Sequence, residues 1–343
     1  MSDLNVRKTQ RGGAVKSFLF FVAGLALLAA LALGGGGYYG YREAMRPGPA
    51  ERETIVMLQP GSSVSKIADD LHHAGVIRHA ELFKAVVRVR RDDNALKAGE
   101  YRIPPRASVM DVIDLLIDGK SILHAVTIPE GLTTAQILRV LEKEEILTGE
   151  ITIEPGEGEL LPETYAYTRG ETRDDVLRRM MRAQDDLIES LWDDRALELP
   201  ISTPEEAIIL ASIVEKESGL PEERPRIASV FLNRLKRGMR LQSDPTIIYG
   251  LTQGEPLGRG LRQSELRGET PYNTYVINGL PPTPIANPGA AAITAVLNPM
   301  ETNDLFFVAD GTGGHAFAAT NREHERNVAA WRRIERERRQ RSN

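Results

Sequence analysis

The chain has no cysteine, which removes disulfides and thiolate chemistry and leaves the redox compartment open. It also lacks a strong charge of either sign. Its 43 Lys and Arg against 48 Asp and Glu give a net charge of −5 over 343 residues, so no global field points to nucleic acid and none is expected as a partner. The basic residues near the C-terminus (Arg332, Arg333, Arg336, Arg338, Arg339 and Arg341) are interleaved with Glu335 and Glu337. They read as a solvated helix end and tail, not a binding arm. Histidine is sparse as well. His72, His73, His79, His124, His315 and His324 show neither HExxH nor another ligand spacing, so no metal and no cofactor is expected. The GTGG at Gly311–Gly314 is too short for a phosphate cradle and reads as a turn.

What is present begins with a long apolar run. From Ser17 to Tyr41 the chain carries no charge, a stretch of about 25 residues that is long enough to span a bilayer. Arg7, Lys8, Arg11 and Lys16 precede it and Tyr38, Tyr39 and Tyr41 close it. By the positive-inside rule residues 1–16 are expected in the cytoplasm, with residues 17–41 as a single anchor in the inner membrane and the remainder exported to the periplasm. A cleavable signal peptide is the alternative, because Ala30-Leu31-Ala32 resembles a cleavage site. The length of the run favours the anchor, and both readings export the rest of the chain.

After a short linker at Pro47–Pro49, one pattern occurs three times: an alternating strand, a Pro/Gly turn, a Ser/Thr cap and an amphipathic helix. The copies are Ile55–Gly75, Tyr101–Gly119 and Ala125–Glu144, with apolar faces such as Ile67/Leu71, Val112/Leu116 and Ile137/Leu141. A short helix, about Ala80–Arg90, falls between the first two. The expected fold class is α+β: the anchor, a small α+β domain over 50–122, and a larger α+β domain over 123–343. The small domain resembles the LysM-like module of cell-envelope proteins, which implies glycan binding; a packing module is the plainer reading. In the larger domain, helices are expected at about Asp174–Leu197 and Glu222–Arg237, a strand at Leu305–Ala309 and a last helix from Asn321.

The stretch Ala207–Gly219 (AIILASIVEKESG) carries the chemistry. Thr203 is placed as N-cap, Pro204 at the first helical position, Glu206 as partner in a capping box and Gly219 as C-cap, with Pro221 as a stop. Leu210, Ala211 and Val214 form a buried stripe, and Glu217, three residues past Val214, ends it. Apolar surroundings and the negative helix end both disfavour a carboxylate, so its pKa should lie above the usual value of about 4.3. A carboxyl kept protonated can deliver a proton to a leaving group. Glu215 lies well round the helix and is the weaker candidate; solvation of both acids on a fraying turn is the plain alternative.

Three later segments are rich in amides, hydroxyls and tyrosines, the groups a sugar cleft uses. They are Arg240–Gly250 with Gln242, Ser243, Asp244, Thr246 and Tyr249; Thr270–Ile293 with Tyr272, Asn273, Thr274 and Tyr275; and Phe307–Thr320 with Asp310 and His315. Loop shaping by Pro and Gly, with the tyrosines packed, explains the same composition.

Taken together, ASIVEKES, RIASVFLNRLKRGMRLQSDPTIIYG, YNTYVINGLPPTPIANPG and FVADGTGGHAF resemble the endolytic murein transglycosylases, the MltG/YceG-like family. The likeness runs from the anchor to the final helix and is densest between Ala211 and Phe317. It implies that Glu217, on the second glutamate of the family's VEKE[TS] motif, is catalytic. It also implies a lysozyme-like Glu-Ser pair in Glu217-Ser218, and Glu163 of LPETYAY near the cleft. Gln242, Asp244, Thr246, Tyr249, Tyr272, Asn273, Thr274 and Tyr275 are the further candidates for contacting substrate. The implied activity is that of a carbon–oxygen lyase on nascent peptidoglycan strands, in an inner-membrane protein working near peptidoglycan synthases. A hydrolytic muramidase, with Glu163 or Asp244 as second carboxylate, and a non-catalytic membrane-tethered scaffold are the competing readings.

Overall fold

The structure is a computed structural model describing residues 12–217 and 219–341. Its two compact units divide between Leu123 and His124.

In the first unit, helix α1 (Gly12–Ala44) leads to β1 (Thr54–Leu58), α2 (Val64–His73), α3 (Ala80–Arg90), β2 (Gly99–Ile103) and α4 (Val109–Asp118). The helices start where local chemistry starts them. Ser63 accepts from the Lys66 N–H, and Ser108 makes a full capping box with Asp111. β1 and β2 pair antiparallel, from Thr54 opposite Ile103 to Leu58 opposite Gly99. Their inward residues Val56, Leu58, Tyr101 and Ile103 meet Ile67, Leu71, Phe83, Val87, Ile113 and Leu116 in one core. Residues 18–44 of α1 are long and apolar enough to cross a membrane. The Pro47–Pro49 segment does not behave as a linker: Ala44 is buried in the domain core, and the Gly48 N–H donates to Arg106 O at 3.1 Å. A Cβ on Gly48 would collide with the Ala107 carbonyl.

The second unit opens with the third strand–turn–helix, β3 (His124–Thr127) and α5 (Thr134–Glu142), the latter capped by Thr133 with Gln136. β4 (Thr164–Tyr167) returns antiparallel to β3. Helices α6 (Arg173–Asp193), α7 (Pro204–Glu217), α8 (Arg224–Lys236), α9 (Asp244–Thr252), α10 (Gln263–Arg267) and α11 (Ala290–Leu297) come next, then the hairpin β5 (Phe306–Ala309)–β6 (His315–Ala318) and α12 (Asn321–Arg341). Among the described residues the sheets are three separate antiparallel pairs. The core of this unit has two parts, one around β3, α5 and the first half of α6, the other where α7, α8 and α11 pack.

Several boundaries differ from expectation. The helix expected to reach Leu197 stops at Asp193, where the chain turns to let the Ala196 N–H reach Leu297 O at 2.9 Å. The helix expected from Glu222 is preceded by a single tight turn, Pro221–Glu223. At the start of α7, Thr203 Oγ1 accepts from the Glu206 N–H as expected, but the Glu206 carboxylate reaches the Ser202 N–H instead of closing the box on Thr203. The capping expected at the end of α7, with Gly219, involves Ser218 and lies outside the described residues. Strands β4 and β6 lie in segments whose sequence suggests loop and turn.

Candidate active site

α7 is the buried axis of the larger unit. Ala207, Leu210, Ala211, Ile213 and Val214 are fully buried against neighbouring helices. The one buried hydroxyl among them, Ser212, is satisfied by Ile209 O and the Ile285 N–H, which leaves the end of the helix to present an acid. Glu217 is that acid. Part of its surface stays open, yet protein crowds its carboxyl, and this desolvation pushes its pKa up to about 7. The Asp244 charge pushes the same way, while a hydrogen bond from Ser243 and the charges of His315 and Arg234 oppose it.

The Ser243 Oγ donates to Glu217 Oε1 at 2.5 Å. Ser243 precedes α9 but its hydroxyl makes no helix cap; it is turned to the glutamate. A buried hydroxyl cluster holds it there. The Ser243 N–H donates to Thr274 Oγ1 at 2.9 Å, Thr246 Oγ1 donates to the Ser243 carbonyl at 2.7 Å, and the two threonine hydroxyls lie 2.9 Å apart. Gln242, one residue before, adopts φ 53°, a left-handed conformation unfavourable for a side chain with a Cβ. Its N–H is fixed on Thr274 O at 3.0 Å. Backbone strain of this kind concentrates at working sites.

Around this pair stand Asp244, whose Oδ1 accepts from the Tyr275 hydroxyl at 2.7 Å, and Arg234 of α8. The Arg234 guanidinium is buried; its Nε donates to Leu305 O at 2.7 Å and its Nη1 to Leu241 O. His315 opens β6 with Nδ1 2.7 Å from Glu223 Oε2, while its backbone N–H donates to Glu223 Oε1 at 2.8 Å. Gly314 makes this clamp possible, since a Cβ there would come within 2.6 Å of the Glu223 carboxylate.

The other face of the same helix turn is closed. Glu215 pairs with the buried Arg224 at 2.8 Å and accepts from the Gly289 N–H at 3.1 Å; Arg224 also binds Glu130 at 2.9 Å. Burial lifts the Glu215 pKa, and the Gly289 N–H and Arg224 pull it back. A third part-buried acid, Glu157, accepts from the Thr134 N–H at 2.8 Å, Asn287 Nδ2 at 3.1 Å and the Tyr249 hydroxyl at 3.2 Å. Burial raises it as well. Gly158 beside it has φ 85°, and a Cβ would meet Pro284 at 2.6 Å. Glu157 and Asn287 thus lock the acidic loop onto the helical part of the unit.

With this geometry in place, the profile of the YceG-like family matches residues 56–330. The chain belongs to the YceG-like family. It is similar to the endolytic murein transglycosylase of Streptococcus pneumoniae strain D39, with 31% identity over 92% of this chain. It is also similar to that of Bacillus subtilis strain 168, with 29% identity over 86% of this chain and 90% of the relative. The chain spans 65% of the length of the pneumococcal protein. A YceG-like protein from Listeria monocytogenes, with a crystal structure at 2.6 Å, shares 30% identity and a TM-score of 0.51 over 81% of this chain and 99% of the other.

Within this YceG-like chain the expected site residues fall into groups. Glu217, Asp244 and Tyr275 come together, with Gln242 exposed beside them. Thr246, Asn273 and Thr274, expected to touch substrate, are fully buried and hydrogen-bonded within the protein. Asn273 Nδ2 donates to the carbonyls of Glu265, Leu266 and Gly268 and its Oδ1 accepts from the Tyr275 N–H, so it shapes the loop that presents Tyr275. Tyr249 and Tyr272 pack edge to face at 5.1 Å, with the Tyr272 hydroxyl 2.8 Å from Thr283 Oγ1. The polar atoms of these five make their hydrogen bonds inside the fold. Glu163 is exposed at the start of β4, with its carbonyl accepting from the Ile128 N–H. Among the described residues no hydrogen bond or ion pair joins its carboxylate to Glu217. Ser218 lies outside the described residues.

The site also contains groups that the sequence did not single out. Ser243 is one polar residue among several in its segment. Arg234 stands at the i+7 position of the Ile227/Val230/Phe231 stripe, the same signal of a charge on a buried face that exposes Glu217. Glu223 gives no signal, since its partner His315 is 92 residues away.

Proposed function

We propose that this chain is an endolytic peptidoglycan lytic transglycosylase, with Glu217 as general acid and then general base. The observation that carries the reading is a partly exposed glutamate whose carboxyl, crowded by protein, has its pKa pushed up to about 7 and is hydrogen-bonded by a rigidly held serine. Relatives bearing the name endolytic murein transglycosylase support the substrate class.

The chemistry derives from the groups present. Ser243 donates to Oε1, which leaves Oε2 to carry the acid proton toward the β-1,4 glycosidic oxygen between MurNAc and GlcNAc. That proton goes to the leaving GlcNAc O4 as the C1–O bond breaks toward an oxocarbenium-like state. The Glu217 carboxylate, now stabilised by the Ser243 hydroxyl, accepts the proton of the MurNAc C6 hydroxyl. O6 closes on C1 to give a 1,6-anhydro end. No water enters and Glu217 ends protonated, so one carboxylate completes the cycle. Asp244, Tyr275, Gln242 and His315 surround the reacting sugar and contact it.

The rest of the chain fits this work. Helix α1 anchors the protein in the inner membrane with residues 1–16 in the cytoplasm, and the second unit acts in the periplasm near peptidoglycan synthases. The first unit, with its β1-α2-α3-β2 order, serves as a LysM-like glycan-binding module. A hydrolytic muramidase is the second reading, favoured by the nearness of the Asp244 carboxylate to Glu217. Mass spectrometry of purified peptidoglycan treated with wild type and Glu217→Gln separates the possibilities. Anhydro-MurNAc ends from wild type alone are expected. Reducing MurNAc ends would establish the hydrolase, and equal cellular function of the variant would establish a scaffold.

A further inference from the structure

Helix α3 carries two apolar stripes; the core buries one fully, while of the other Leu82 and Val86 pack against it in part and Ala85 and Val89 stay exposed. Phe83 and Val87 are fully buried. Leu82, Ala85, Val86 and Val89 form the other stripe, at the i, i+3, i+4, i+7 spacing of one helix face, and Val89 is 84% exposed. Facing them are Gly37, Gly40, Tyr41 and Ala44 of α1 at the same spacing. With Met110 the two faces line an open apolar groove of about 440 Å³. An apolar groove left in water is unfavourable, and its position shows what covers it.

α1 enters the domain without a flexible break. Ala44 is buried in the core, Gly48 is hydrogen-bonded to Arg106 O, and Arg78 Nη2 holds the Pro47 carbonyl at 3.1 Å. The height of the groove above the bilayer is therefore set by the length of the helix. The uncharged run from Ser17 to Tyr41 is longer than the roughly 20 residues that cross the hydrocarbon core at about 1.5 Å each. The surplus is the segment that forms the groove, which puts it at the level of the headgroups and upper acyl chains. Arg90 of α3 lines the groove as well, its guanidinium paired with Asp92 and Asp114 at 2.7 Å each, and Arg42 lies exposed in the last turn of α1. A slot of apolar side chains with arginines nearby matches a phospholipid, acyl chain within and phosphate outside.

We propose that the groove between α1 and α3 takes a phospholipid acyl chain from the membrane that α1 spans, so that α3 lies in the bilayer interface. This rests on the reading of α1 as a membrane anchor, and the test separates the two. The chain has no native cysteine, so a nitroxide can be placed at one site by Val89→Cys, with Leu28→Cys as a mid-span reference and Leu197→Cys as a water reference. The full chain is reconstituted in phosphatidylethanolamine–phosphatidylglycerol nanodiscs, and collision with oxygen and with a water-soluble nickel chelate is measured for each label. The expected oxygen-to-chelate ratio at Val89 lies between those at Leu28 and Leu197, as for a helix seated in the interface. A ratio at Val89 equal to that at Leu197 overturns the proposal by showing the groove in water. Exclusion of both reagents also overturns it, by showing protein over the groove, either a second copy or a partner helix. If Leu28 itself gives the water ratio, the anchor reading fails first.

Discussion

Glu215 and Glu217 are the same residue type, two positions apart, on one turn of one helix, and they have opposite fates. About 200° of rotation separates them. Glu215 meets a buried guanidinium and a backbone N–H, which satisfy its charge and close its surroundings. Glu217 meets a serine hydroxyl and a nearby carboxylate, with its cations acting only at longer range. One arrangement stabilises an ion pair and ties Glu130 and the Gly289 segment to the helix. The other leaves a proton that can leave and return. On the proposed reading Glu217 is the acid, and no direct cationic partner meets it among the described residues. That, together with its partial access from solvent, suits it to proton transfer.

Substitution at each acid probes the contrast directly. Glu217→Gln is expected to lower kcat/KM for strand cleavage by roughly 10²–10⁴-fold with the fold retained, measured by product release alongside circular dichroism. Glu215→Ala leaves Arg224 buried with only Glu130 and is expected to cost about 3 kcal/mol of stability, read as a lowered denaturant midpoint. The alkaline pKa of its residual activity should stay that of wild type. If Glu215→Ala moves that pKa and leaves stability alone, the two roles are reversed.

Stability against pH gives the third test. The folded Glu217 titrates near 7, above its ordinary 4.5, so between these values the native state holds a proton that the unfolded chain has released. Its contribution is complete below about 4.5 and is lost as pH rises through about 7. Glu217→Gln should therefore be more stable than wild type at pH 8.5 by up to about 3 kcal/mol and show no such advantage at pH 4. Equal stabilities at both pH values would show an unperturbed carboxyl.

The smallest effects concern the neighbours of Glu217. Activity is expected to fall as pH rises through about 7, where the acid loses its proton. Ser243→Ala removes the hydrogen bond that favours the carboxylate and should move this limb upward, with a rate loss of roughly tenfold. Asp244→Asn removes a like charge and should move it downward. Shifts in the same direction for both variants would refute the assigned electrostatics.

Much of this is legible without the fold because it is local. Ser63, Ser108 and Thr133 mark helix starts through side-chain-to-backbone bonds within three residues, and α3 spans the expected Ala80–Arg90. β4 is hidden because its partner β3 lies 37 residues upstream, as the Thr127–Thr164 hydroxyl contact shows. The same reason explains why Thr246 and Thr274 look like sugar-binding residues. Their hydroxyls are turned inward by each other across 28 residues, and composition does not report direction.

Periodicity and capping act over a few residues, and they suffice to place the apolar helix, the strand–turn–helix units and Glu217 at the end of a buried stripe. Which acid keeps a proton is a matter of packing. It depends on Arg224 reaching Glu215, Ser243 reaching Glu217 and Glu223 holding His315. Those are contacts between separate elements, nine, 26 and 92 residues apart, and only the assembled fold brings them together.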